Sequence, residues 1–175
     1  MTQAQQEQAR HDQPDQPPLL GRGLTWPELP AGMSFRTSTR TVTETDLVTF
    51  ITWAGIVNPL FTDARFSREV EGYRGRLVPG MVTYCFSEGL IAQTGVMRGT
   101  GIAILASGNL QHVRPVFVGD TVYSVVEITS SRASSKPGRG VVSSDVRVLN
   151  QDGAEVLLYS PVRLMRGRDD EGADS

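Results

Sequence analysis

The sequence has one cysteine, one lysine and no long apolar run, and each scarcity excludes something. With Cys85 alone, no disulfide can form within the chain and no cysteine-based metal site can be assembled. His11 and His112 are the only histidines, too few for the clustered ligands of a zinc site, so no metal is expected. No stretch approaches the roughly 20 apolar residues that cross a bilayer, so no membrane span is expected. Residues 1–18 are rich in Gln, Asp and Pro and lack the apolar centre of a signal peptide. Together these features predict a cytoplasmic protein. Lys136 apart, the basic residues are arginines, and they are scattered through a chain of net charge −2. Nothing concentrates the positive charge that grips a phosphate backbone, so nucleic acid is not an expected partner. No glycine-rich phosphate cradle follows a strand.

At 175 residues and 39% hydrophobic, the chain has the length and apolar content of one globular domain with tails. Residues 1–20 are polar and proline-spaced, and 167–175 are acidic; both stretches have little to bury and are expected to be disordered. Residues 21–166 read as one domain without internal repeats.

Ser34 to Val42 alternates loosely and is rich in threonine, which predicts a strand. Thr43 is placed as the N-cap of a following helix, with Asp46 three residues on and Val42 and Leu47 positioned as a hydrophobic staple. Leu47, Phe50, Ile51 and Ala54 recur at helical spacing, and Gly55 ends the run. After an Asn58-Pro59 turn, Thr62 is placed to cap a short helix reaching about Val70. Pro79-Gly80 opens a long helix from Met81 to about Thr94, closed by Gly95. Met81, Val82, Tyr84, Cys85, Phe86, Leu90, Ile91 and Ala92 make that helix apolar on most sides, so it belongs inside the fold with something wrapped around it. Strands over 102–116, 121–132, 140–150 and 154–166 supply the wrapping. Gly119-Asp120 and Gln151-Asp152-Gly153 read as hairpin turns between them, and Ser134 to Gly138 as a longer turn. Successive strands joined by short turns form an antiparallel sheet, so the fold class is α+β, a sheet wrapped around a central helix.

Several stretches follow one another in a telling order: Thr41-Val42-Thr43-Glu44-Thr45-Asp46, Asn58-Pro59-Leu60 with Asp63, Val78-Pro79-Gly80-Met81, Arg114-Pro115-Val116 with Gly119-Asp120-Thr121, and Asn150-Gln151-Asp152-Gly153. Each alone is turn chemistry. Together, over residues 34–166, they resemble the MaoC-like branch of the hotdog fold, which contains the (R)-specific enoyl-CoA hydratases. The resemblance implies a curved sheet around a central helix, and an acyl thioester, on CoA or a carrier protein, as ligand without a further cofactor. It also implies pairing, either as a homodimer or with a paralogue that bears the catalytic residues.

In that family the loop before the central helix reads G-D-x-N-P-x-H. Its Asp and His activate a water and deliver its proton across a 2-enoyl thioester, work that needs an acid and a base. Here the loop is Gly55-Ile56-Val57-Asn58-Pro59-Leu60-Phe61, so Ile56 stands at the Asp position and Phe61 at the His position. Neither exchanges a proton. Pro79 also stands where relatives often carry a His. Ile56 and Phe61 either fill space or shape an acyl pocket. Asn58 keeps its family position, as ligand contact or as the turn-former that Asn before Pro commonly is. Gly80 and Met81 open the central helix, where backbone N–H groups can polarise a thioester carbonyl; Gly80 could equally serve close packing. Two carboxylates offer other chemistry. Glu88 lies on the central helix, where some hotdog thioesterases place an attacking or water-activating carboxylate, or it is hydrogen-bonded or dimer-facing. Asp63 is close to the loop, though at a helix start a carboxylate also stabilises the helix. His112 reads as a structural strand histidine. The functions in view are a hydratase-like thioester binder without the ordinary pair, a thioesterase-like hydrolase, and a non-catalytic binding or regulatory module.

Overall fold

A computed structural model describes residues 21–167, so the tail expected at 1–20 and all but the first residue of the one expected at 167–175 lie outside the described residues. Gly167 itself is ordered, buried with its N–H donated to the Gly138 carbonyl. A 3-10 turn, Trp26–Glu28, precedes β1 (Ser34–Arg36), β2 (Arg40–Thr41) and the helices α1 (Glu44–Ala54), α2 (Pro59–Thr62), α3 (Ala64–Glu69) and α4 (Gly80–Gln93). Four long strands follow: β3 (Gly101–His112), β4 (Thr121–Ala133), β5 (Arg139–Leu149) and β6 (Glu155–Arg166). All pairings are antiparallel, in the order β1-β4-β5-β6-β3, with β2 also on β4.

Alternation along β4, β5 and β6 turns one row of each strand inward. Val122, Val126, Val142, Val146, Val148, Leu157, Tyr159 and Met165 form that face, and Val82, Phe86 and Ile91 of α4 pack on it. The expectation of an α+β domain built from an antiparallel sheet and a central helix is met.

Several local expectations need correction. Gly119-Asp120 is not a hairpin turn, because β3 pairs with β6 and not with β4. The chain leaves β3 at His112, short of the expected Val116, and 116–118 bind back to 76–78 through Val78 N–H to Val116 O and Val118 N–H to Arg76 O. Phe117 bridges to Leu77, so the connection crosses beneath the start of α4 to the far side of the sheet. There the Asp120 carboxylate, buried, accepts the Phe117 N–H at 2.8 Å and the Gln151 amide at 2.9 Å and pairs with Arg74. The strand expected over Ser34–Val42 is interrupted at 37–39, where Thr37 bonds Ser124 through both backbone and hydroxyl. Thr62 caps nothing: Asn58 caps α2 and Asp63 caps α3. Finally, α4 is not covered all round. Met81 and Cys85 are exposed, since one sheet can cover only one side of a helix.

The turn Gln151-Asp152-Gly153 forms as expected, with the Asn150 side chain accepting from Asp152 and Ala154 N–H groups and Gly153 at φ 74°. The other end of the sheet is closed by Trp26. Its indole Cδ1 lies 2.6 Å from where a Cβ on Gly140 would stand, while Ser131 Oγ donates to the Trp26 carbonyl at 2.6 Å. Gly140→Ala should therefore displace the indole and lower stability by about 1–3 kcal/mol, the usual cost of overpacking, measured by urea unfolding.

Candidate functional site

The loop that resembles the family's catalytic segment is held at both ends by its own sequence. Thr43 and Asp46 form the predicted capping box, Thr43 N–H to Asp46 Oδ2 at 2.8 Å and Asp46 N–H to Thr43 Oγ1 at 3.2 Å. Partial burial pushes the Asp46 carboxyl up, but hydrogen bonds from Thr43 and the Arg40 guanidinium outweigh it and hold the group below its usual value. At the other end Gly55, at φ 68°, closes α1 in the left-handed conformation. Asn58 Oδ1 accepts the Leu60 N–H at 2.9 Å and caps α2. Asp63 accepts the Arg65 and Phe66 N–H groups at 2.8 and 3.3 Å. Both polar side chains are thus committed to helix starts.

Ile56 is 37% exposed and Phe61 half-buried. The Phe61 carbonyl accepts from Arg76, which also pairs with Glu44 on α1, so one guanidinium ties the loop to the segment leading into α4. Gly80 opens α4 and borders a cavity of about 340 Å³ together with Tyr73, Thr83, His112 and Arg114. Ile56, Asn58, Phe61 and Met81 do not line it. The structure therefore places the loop and the helix start as neighbours through Arg76, without bringing them around one cavity of this chain. A separate groove of about 260 Å³ runs between α1 and α4, lined by Phe50, Trp53, Val82, Cys85 and Phe86. Partial burial, and then the nearby Glu88, push the Cys85 thiol above its ordinary range.

Glu88 sits in a polar network inside the fold. Arg163 Nη2 lies 2.6 and 2.7 Å from its two carboxylate oxygens, and the Tyr159 hydroxyl donates to Oε1 at 2.7 Å. Ser87 joins Tyr159 and Ser124 at 2.7 and 2.8 Å, and Arg163 Nη1 reaches Ser144 at 3.3 Å. Burial and then the Glu88 charge raise the Tyr159 hydroxyl far above its ordinary range, so it stays protonated and donates. Arg163 Nε has no partner among the described residues; a cavity of about 20 Å³ beside it has room for one water. Arg163 was legible in outline: it follows Leu157 and Tyr159 in the inward row of β6, and a charge in that row requires a buried partner. Sequence reasoning also missed the neighbourhood of His112, whose ring lies against Gly80. No sequence signal joins two residues so far apart. No group of metal-binding side chains occurs among the described residues, and no helix there is long and apolar enough to cross a membrane.

An antiparallel sheet packed on one long central helix, with the candidate site at that helix's start, defines a hotdog domain. The sequence matches the family described as MaoC like domain over residues 28–149, and the chain belongs to that family. Among solved structures it is similar to a monoamine oxidase regulatory protein from Archaeoglobus fulgius, at 26% identity and TM-score 0.74, covering 83% of this chain and 96% of that one. It is similar to an (R)-hydratase from Pseudomonas aeruginosa at 25% identity and TM-score 0.63, covering 83% and 86%. A Mycobacterium tuberculosis protein with a double hotdog fold shares the fold at 23% identity and TM-score 0.72, with 87% of this chain covering 47% of that one. No curated protein matches the sequence.

The Glu88–Arg163 pair carries a direct test. Glu88→Gln leaves the Arg163 charge buried without a counter-charge and should cost about 3–5 kcal/mol in urea unfolding, while Glu88→Leu with Arg163→Met should recover much of that loss.

Proposed function

We propose that the chain binds an acyl thioester, on CoA or on a carrier protein, at the start of α4, and lacks the Asp/His hydration chemistry associated with its family. One observation carries this reading: the loop keeps its capped Asn58-Pro59 frame and is tied through Arg76 to the segment that leads into the cavity at Gly80, while Ile56 and Phe61 occupy the proton-transfer positions. Gly80 and Met81 would present backbone N–H groups to the thioester carbonyl. The hydrolase reading gains no support, since Glu88 is engaged by Arg163 and Tyr159, and Asp63 by two backbone N–H groups.

We further infer that the domain works as a dimer through β3. That strand is a free edge with every residue exposed; it carries no Asp, Glu, Lys or Arg, and it presents Ile102, Ile104, Leu105 and Leu110. Edge strands left uncovered are normally guarded by charge. The partner is a second copy or a paralogue bearing the missing pair, an arrangement supported by the double hotdog fold of the mycobacterial relative.

Crotonyl-CoA should raise the melting temperature; a protein with no thermal response to CoA esters or acyl-carrier protein would not be a thioester binder. Installing the pair as Ile56→Asp with Phe61→His should raise crotonyl-CoA hydration at least about a hundredfold, and an unchanged rate would show that this loop does not face the substrate. Leu105→Glu should shift the chain to a monomer in sedimentation velocity, whereas a variant that stays dimeric would place the interface elsewhere.

A further inference from the structure

His112 has no part in the chemistry described so far, and its surroundings are not those of a structural histidine. It is exposed at the end of β3, where its backbone pairs with Leu157, and its side chain takes part in no hydrogen bond or ion pair among the described residues. Its ring lies against Gly80, with Nδ1 and Nε2 standing 2.5 and 2.8 Å from where a Cβ on that residue would be. It borders the same 340 Å³ cavity as Gly80 and Thr83. No carboxylate lines that cavity, and the guanidinium that does, of Arg114, donates to the Glu155 carbonyl at 2.6 Å. Elsewhere the carboxylates of Glu88, Asp63 and Asp120 are all engaged. His112 is thus an uncommitted proton-transfer group at the wall of the candidate site, and a residue larger than glycine at position 80 would displace it.

We propose that His112 is the proton carrier of this site and adds water to a 2-enoyl thioester as a single base; this rests on the thioester reading above. The neutral imidazole takes a proton from water while the water oxygen bonds to C3. The C2=C3 pair moves to form C1=C2, and the thioester carbonyl pair moves onto its oxygen. The imidazolium then returns a proton to C2 as the enolate collapses, so one water is added and His112 ends unprotonated. A base without a second group to orient the water works slowly, and general acid–base catalysis by one positioned side chain contributes about 10²–10⁴-fold.

The test uses the full chain at high concentration with crotonyl-CoA, following loss of the enoyl absorbance for wild type, His112→Asn and His112→Gln. Slow turnover by wild type and a kcat lower by at least about a hundredfold in both variants, with KM and the thermal shift by crotonyl-CoA unchanged, is the expected result. Because His112 is exposed, both variants should melt with wild type. Variants that turn over like wild type, or a wild type that is stabilised by crotonyl-CoA without hydrating it, would overturn the role of His112 alone. Absence of both stabilisation and turnover would overturn the thioester reading and this proposal together.

Discussion

The buried pair of Glu88 and Arg163 is the interaction on which the placement of the site depends. Apart from one hydrogen bond from the Tyr84 hydroxyl to Ser107 on β3, at 3.2 Å, the rest of the contact between α4 and the sheet is apolar, through Val82, Phe86 and Ile91 against valines, Leu157 and Met165. Such contacts are non-directional and tolerate small slides and rotations. The network is directional: it ties Glu88 and Ser87 of α4 to β4 through Ser124, to β5 through Ser144 and to β6 through Tyr159 and Arg163. A buried ion pair adds little net stability over an apolar substitute, because desolvation offsets most of the Coulombic gain. What it contributes is register, and the register of α4 sets where Gly80 meets His112.

The two edges of the sheet are treated differently. At the β4 edge, β1 and β2 add short strands and the crossover ends in a pinned turn around Asp120. At the β3 edge nothing within the described residues covers a strand of twelve residues that carries three register shifts. The exposed side of α4, with Met81 and Cys85, likewise lacks cover. Both uncovered surfaces are what a single-layer sheet leaves when one chain supplies only one central helix to its inner face.

Much of the fold was legible because it rests on short-range rules. The capping box at Thr43, the left-handed glycine after α1, the Asn150–Gly153 turn and the boundaries of β4, β5 and β6 follow from local chemistry and alternation. Errors fell where a long-range pairing overrode a local signal. Gly119-Asp120 has hairpin composition, yet the strands on either side of it are not neighbours, because 116–118 bind to 76–78 instead. Thr62 is an adequate cap, but Asn58 and Asp63 divide the same segment into two shorter helices.

By itself the sequence determined the class of fold and the identity of the side chains at the loop: Ile56 and Phe61 cannot exchange protons whatever surrounds them. Residue chemistry is a property of the chain alone. Only the tertiary structure decided which charges are spent and which are free. Glu88 reads as a candidate base until Arg163, 75 residues away, takes up its carboxylate, and His112 reads as a strand residue until the crossover from β3 lays its ring on Gly80. A side chain's availability for chemistry depends on its neighbours in space, and those neighbours are set by sheet order and helix register, which no local pattern encodes.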